Sequence, residues 1–190
     1  EPAKRIFNHF LSLFKERSNN RSARIAALKG AYLSALGHER QLTRLSAAIT
    51  EIDDESELLI VPYAARVAGL VLLGRDDQGL IEFLRAYQDH RACADQVKLE
   101  LGLLALGRAM AAGNTEDAMS ALIEARDLFS AAAEARDSRH EARSFALAID
   151  LLTGFIRSRD LSGLRETLAE LTEAAFAYDA YVTRADPDPL

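Results

Sequence analysis

Apolar residues in this chain recur at intervals of three and four, and this spacing is the feature that most restricts its fold. In the clearest stretch, residues 161–182, the two intervals alternate without a break. The apolar positions there are Leu161, Leu164, Leu168, Leu171, Ala175, Tyr178 and Val182. This spacing places all of those side chains on one face of an α-helix. Because most other segments repeat in the same way and none alternates convincingly with a period of two, the sequence predicts an all-α fold.

Helix-stop and helix-start residues divide the pattern into nine predicted helices. Glycine is typical of helix ends and is found at Gly37, Gly74 and Gly113, while Ser138 and Glu141 have the spacing of a capping box. Pro62 lacks an amide hydrogen and is expected either to begin its helix or to kink it. The connections are short, which favours antiparallel neighbours. The predicted ranges are 3–17, 21–36, 39–52, 55–73, 77–89, 93–112, 115–136, 139–157 and 161–183.

Two of these helices are apolar on most sides. Residues 58–73 carry only Arg66 as a charge, and residues 99–112 carry only Glu100 and Arg108. Both runs are shorter than the roughly 20 residues that cross a bilayer, so we expect helices covered by other helices and no membrane span.

The domain organisation expected from the sequence is one array of helices. Residues 1–19 form an N-terminal amphipathic helix, 20–185 a single helical repeat domain, and 186–190 a flexible tail. The chain begins at Glu1 and shows no signal-peptide pattern, which is consistent with a piece cut from a longer cytoplasmic protein. Cys93 is the only cysteine, so no internal disulfide forms, and we interpret it as a small apolar core residue.

Charge is distributed unevenly along the chain. The net charge is +6 for residues 1–50 and −12 for the remainder. A basic end can attract anionic partners, so anion or nucleic-acid binding through the first 50 residues is one alternative function. No aromatic residues are interleaved with those arginines, which argues against nucleic acid as the partner.

The turn glycines also indicate a repeated helix pair. Gly37, Gly74 and Gly113 are 37 and 39 residues apart, and each follows a long helix and precedes an amphipathic one. Small residues follow the turn at fixed distances, since Ala118 and Ala125 lie five and twelve residues after Gly113. With the pair Leu106-Gly107, this pattern resembles the tetratricopeptide repeat. Gly79 and Ala86 fit the same positions after Gly74, whereas Leu42 and Ile49 after Gly37 do not.

The resemblance implies an array of helix hairpins, an α-solenoid, whose first helix in each pair lines a concave face that binds partner peptides or helices. The residues it assigns to that face are Arg24, Ala27, Ala31 and Ser34, then Val61, Ala64, Ala68 and Val71, then Glu100, Leu103, Gly107 and Met110, then Phe145, Ala148, Leu152 and Phe155. These are mostly small or apolar, so we expect the occupant to be a partner helix, a peptide or a second copy in a homodimer. The alternative is that this face packs internally.

No catalytic pattern is found in the sequence. His9, His38, His90 and His140 lie outside any metal-binding spacing, and glycine-rich phosphate loops and the G-x-S-x-G nucleophile pattern are missing. We therefore expect no enzyme and no cofactor. The first hypothesis is a protein-interaction module, part of a larger regulator or an adaptor. A helical regulatory domain that binds a small apolar ligand between helices 58–73 and 99–112 is the second alternative.

Overall fold

The computed structural model describes residues 2–16, 20–53, 58–73, 75–134, 139–159, 167 and 169–174, and all regular structure in these residues is helical. Eight helices have both ends within them, and residues 169–174 belong to a further helix. The eight are α1 (Pro2–Lys15), α2 (Arg21–Ala35), α3 (Glu39–Thr50), α4 (Val61–Leu72), α5 (Gln78–Tyr87), α6 (Ala94–Ala111), α7 (Thr115–Ala132) and α8 (Arg139–Ser158).

The predicted all-α fold is confirmed in this part of the chain, and most predicted helix ends are close to the observed ones. The largest difference is at α4, which begins at Val61 rather than at residue 55, with Pro62 as its second residue. Proline is favoured in a first helical turn because its missing amide hydrogen has no partner to lose there. Residues 54–57, and most of the predicted helix 161–183, lie outside the described residues.

Local capping explains where several helices begin and end. The side chains of Asn20, Asp77 and Asn114 accept hydrogen bonds from backbone amides of the first turns of α2, α5 and α7. Gly37 follows α2 with φ of +75°, a conformation that side chains disfavour, and Gly113 lies between α6 and α7. These two predicted turns are confirmed. Gly74 and Ser138 lie outside the described residues.

The chain divides into two compact units, unit 1 at residues 1–97 and unit 2 at 98–190. From the sequence we expected an amphipathic helix at residues 1–19 followed by one repeat domain over 20–185, and this domain division stays a prediction. In the structure α1 belongs to unit 1 and packs against α2 and α3. Phe7, Leu11 and Phe14 form its buried face, as expected for an amphipathic helix.

Helices α1 and α2 form a tight antiparallel hairpin. Phe10 packs onto Gly30, where an added Cβ would lie 2.8 Å from the ring. At the other end of the hairpin the Arg24 guanidinium lies 5.3 Å from the Phe14 ring centroid, and Arg24 Nε donates to the Phe14 carbonyl oxygen at 3.3 Å. Arg24 is therefore buried, but its positive charge keeps a polar partner, the carbonyl oxygen of Phe14, and an aromatic partner, the Phe14 ring.

Helices α1 and α3 are parallel, with an offset of 36 residues. Arg44 Nη1 donates to Asn8 Oδ1 at 2.7 Å, and these residues are 36 apart. Lys15 Nζ donates to Glu51 Oε2 at 3.0 Å, and this pair has the same separation of 36. Contacting residues are thus 36 positions apart in the sequence at two points along the pair. This constant sequence separation requires that the two helices run in the same direction.

The same relation recurs between α3 and α5. Arg75 Nε donates to Glu39 Oε1 at 3.0 Å, again across 36 residues, and Tyr87 Oη donates to the Ile52 carbonyl oxygen at 3.4 Å across 35 residues. Helices α2 and α4 are also neighbours, and α4 packs against α3 and α5. Unit 1 therefore repeats its helix contacts with a period close to the 37-residue spacing of Gly37 and Gly74.

Unit 2 contains the antiparallel hairpins α6–α7 and α7–α8. Salt bridges cross both, with Arg108 Nη2 2.7 Å from Glu124 Oε2 and Arg126 Nε 3.2 Å from Asp150 Oδ1. The core of this unit is centred on Phe129, whose ring stacks on that of Phe145 with centroids 4.9 Å apart.

Small residues allow these helices to approach closely. Gly102 faces Phe129, and a Cβ on Gly102 would lie 2.6 Å from the ring. Ala125 is fully buried in the same core and Ala118 is half-buried. The prediction that the alanines after Gly113 lie at a helix contact is therefore confirmed at Ala125.

Cys93 is fully buried just before α6, as expected for a structural cysteine. Burial, with a smaller contribution from the Asp95 carboxylate, raises the pKa of its thiol to about 12. The thiol is therefore protonated at pH 8, and the thiolate is the reactive form. We expect a thiol-specific disulfide reagent at pH 8 to leave the native protein unmodified and to react with one thiol after denaturation in urea.

A matched control is a cysteine placed at the exposed position Ala26 in a Cys93→Ser background. This thiol should react in the native state at a rate close to that of a free cysteine. Equal native-state rates for Cys93 and the introduced cysteine would show that Cys93 is accessible.

Candidate functional site

The structure buries most of the residues assigned to a concave binding face. On α2, Arg24, Ala27 and Ala31 are buried, and Ser34 is half-buried with its hydroxyl donating to the Gly30 carbonyl oxygen at 2.6 Å. On α4 the buried members are Val61, Ala64, Ala68 and Val71. The expectation that these side chains line an open face is corrected, because they form the core of unit 1.

The physical reason for this difference is that small apolar residues are equally suitable in a helix core and on a binding surface. Alanines at intervals of three and four permit close helix packing, and they also permit close approach of a bound partner. In unit 1 α2 packs against α1, α3 and α4, so its alanine stripe is covered by the chain itself. The alternative of internal packing, which the sequence left open, is the arrangement found on α2 and α4.

In unit 2 the assigned residues are divided between core and surface. Glu100 is buried, Leu103 is half-buried against the core, and Met110 is 83% exposed. Gly107 is exposed, and a Cβ added there would meet open space. On α8, Phe145 stacks on Phe129, whereas Ala148, Leu152 and Phe155 are exposed.

A different set of large apolar residues is exposed on unit 1. Six such side chains in α2, in α4 or just beside the ends of these helices are between 37% and 62% exposed. We infer that they form one surface, which we call the α2–α4 face, and its members are Leu33, Leu36, Leu58, Leu59, Tyr63 and Leu73. Because α3 contacts both α2 and α4, we infer that the exposed stripes of the two helices lie on the side of unit 1 facing away from α3.

This face is shifted by one or two residues from the assignment made from the sequence. Around α4 the exposed residues are Leu59 before the helix, Tyr63 within it and Leu73 after it, rather than Val61, Ala64 and Val71. In the sequence, side-chain size was the feature that could have indicated this shift. Large residues that do not fit into a close helix contact remain exposed beside the alanine stripe.

Every charged residue within 20–37 and 58–73 is cationic, whereas acidic residues lie just outside the second range, at Asp53 and Asp76. Residues 20–37 and 58–73 contain Arg21, Arg24, Lys29 and Arg66 and no acidic residue. The Arg21 guanidinium lies 5.7 Å from the centroid of the Tyr63 ring, which joins the N-terminal ends of α2 and α4. An occupant with acidic residues would therefore be favoured here.

The described residues contain no group of three or more His, Cys, Asp or Glu side chains placed to hold a metal ion. In the same part of the chain, no helix is both long enough and apolar enough to span a membrane.

An open depression of about 300 Å³ lies between α1 and α3. It is lined by Asn8, Leu11, Ser12, Lys15, Arg44 and Ala47. The lining combines polar and cationic side chains with the apolar Leu11 and Ala47, and it includes no residue of 58–73 or 99–112, between which the sequence predicted an apolar ligand.

Comparison with known proteins gives no relative from which a role could be inferred. The chain matches no protein-family model, no curated protein and no solved structure.

Proposed function

We propose that this chain is a protein-interaction module without enzymatic activity, and that its α2–α4 face binds a helix of a partner protein. The observation that carries the proposal is the exposure of six large apolar side chains in or just beside the ends of two neighbouring helices. Apolar surface of this kind gains free energy when a partner covers it.

The helix arrangement of unit 1 supports a tetratricopeptide-like array as the framework for this face. Contacts across 36 residues join α1 to α3 and α3 to α5, which is how successive second helices of a repeated helix pair would meet. Helices α2 and α4 are then the first helices of two successive pairs. Arrays of this kind bind partner segments along their first helices, in a helix-in-groove mode.

Charge specifies the partner further. Arg21, Lys29 and Arg66 are, with the buried Arg24, the charged residues of α2 and α4, and neither helix contains an acidic residue. A partner helix with apolar residues at intervals of three and four, flanked by glutamate or aspartate, would complement both features. We infer that such a helix belongs to a regulated protein. This chain would then be part of a larger regulator or an adaptor.

The test begins with a protein that co-purifies from the source cells and then uses the two purified proteins. Binding is measured by calorimetry for the parent chain and for Leu33→Glu with Leu73→Glu. We expect the double variant to weaken binding by at least about a hundredfold while helicity is unchanged, because centrally placed apolar contacts each contribute about 2 kcal/mol or more.

The matched control is Met110→Glu with Ile123→Glu, which places the same charges on exposed apolar residues of unit 2. This variant should bind as the parent does. Equal loss in both variants, or no loss in either, would reject the α2–α4 face. Sedimentation velocity on each variant tests the other possible occupant, a second copy of this chain. A parent dimer that dissociates only in the variant Leu33→Glu with Leu73→Glu would identify that second copy as the partner.

A further inference from the structure

A second surface of unit 1, the seam between α1 and α3, carries an excess of positive charge. The parallel register pairs Asn8 with Arg44 and Lys15 with Glu51, and one turn earlier it places Lys4 alongside Arg40. Within the described part of the chain, Lys4, Arg40 and Arg44 have no carboxylate within ion-pair distance, and only Lys15 is paired. The part of the seam around Lys4, Arg40 and Arg44 is therefore positively charged, whereas Glu16 and Glu51 supply carboxylates at the Lys15 end.

Arg44 is held in place at the centre of this seam. Its guanidinium lies 5.3 Å from the centroid of the buried Phe7 ring, and its Nη1 donates to Asn8 Oδ1 at 2.7 Å. Stacking and one hydrogen bond fix the plane of the guanidinium and leave its other N–H groups available. A guanidinium oriented in this way is suited to bidentate hydrogen bonds with an oxyanion.

The depression beside Arg44 presents further donors. Asn8 offers its amide nitrogen and Lys15, which also pairs with Glu51, its ammonium group, while Leu11 and Ala47 supply apolar surface. The Ser12 hydroxyl, also in the lining, donates to Glu16 Oε1 at 3.3 Å. The volume of about 300 Å³ is at the lower end of the range for small-molecule sites. It exceeds the volume of a phosphate ion, so there is room for the organic part of a small ligand.

We propose that the depression between α1 and α3 binds the phosphoryl group of a small phosphorylated molecule. Arg44 would contact two phosphoryl oxygens, and Lys15 and the Asn8 amide would contact the others. A nucleic-acid strand fits less well, because Phe7 is buried under Arg44 and cannot stack with a base. This site is separate from the α2–α4 face and does not depend on a protein partner.

The experiment titrates the full chain with inorganic phosphate and pyrophosphate at low ionic strength and follows the backbone amides by nuclear magnetic resonance. We expect saturable shifts concentrated in residues 8–15 and 40–47, with pyrophosphate binding more tightly than phosphate. Arg44→Gln should weaken pyrophosphate binding at least tenfold. Arg44→Lys keeps the charge but loses the fork of donors, so it should recover only part of that loss.

The matched control is Arg85→Gln, which removes one exposed arginine from α5 of the same unit. It should change the pyrophosphate affinity less than twofold. Equal weakening by Arg44→Gln and Arg85→Gln would overturn the proposal, because the response would then follow net charge alone. A single-stranded oligonucleotide that binds the same amides more tightly than pyrophosphate, with a steep salt dependence, would also overturn it in favour of a nucleic-acid site.

Discussion

Replacing Phe129 with alanine is expected to lower the free energy of unfolding of unit 2 by about 3–5 kcal/mol, the range for large-to-small changes of buried aromatic residues. Phe129 is fully buried, stacks on Phe145 and packs against Gly102. Urea denaturation measures the total loss, and hydrogen exchange of the α7 amides tests whether it is located in unit 2.

The contact between Phe129 and Gly102 predicts strong coupling between the two positions. Gly102→Ala alone places a Cβ about 2.6 Å from the ring, so we expect it to cost about 1–3 kcal/mol despite the better helix propensity of alanine. In the Phe129→Ala background the ring is gone, and the same change should be neutral or stabilising. The two effects should therefore not be additive.

Gly107→Ala is the matched control on the same helix. A Cβ at Gly107 meets nothing within 4 Å, so this change should stabilise the protein by up to about 1 kcal/mol. If Gly102→Ala behaved like Gly107→Ala in the otherwise unchanged protein, the close contact between α6 and α7 would be disproved.

Replacing Ala68 with aspartate is expected to cost about 3–5 kcal/mol, because it places an unpaired carboxylate in the core of unit 1. Ala68 is fully buried on α4. Ala26→Asp is the matched control at an exposed position of α2, and it should cost only about 0.5–1 kcal/mol through helix propensity. Thermal unfolding monitored by circular dichroism compares the two variants.

The comparison also decides between the two interpretations of the alanine stripe. If the stripe is core, Ala68→Asp unfolds unit 1, and loss of binding is a consequence of unfolding. If Ala68→Asp retained the parent's melting temperature and lost only partner binding, the alanine stripe would be an accessible groove. The proposal that the α2–α4 face binds the partner would then be wrong.

The hairpin of α1 and α2 illustrates what the sequence could not predict. The apolar stripe of residues 6–14 indicated a helix with one buried face, but not the surface that covers it. In the structure that surface includes Gly30 and Arg24 of α2. Arg24 was assigned to an open face by the register of the tetratricopeptide resemblance, whereas its burial depends on Phe14, which lies in another helix.

The positions of the helices were determined by the sequence itself. Periodicity, caps and turn glycines act over a few residues, so α2, α3 and α6–α8 could be delimited from local patterns. The beginning of α4 was predicted at residue 55 rather than Val61, because Pro62 is compatible with either a helix start or a kink. The tertiary structure alone decided which side of each helix is exposed. Leu33 and Tyr63 lie outside and Ala31 and Ala64 inside because α1, α3 and α5 occupy particular sides of α2 and α4. Helix periodicity defines an apolar stripe relative to one axis, whereas burial depends on the neighbours that pack against it.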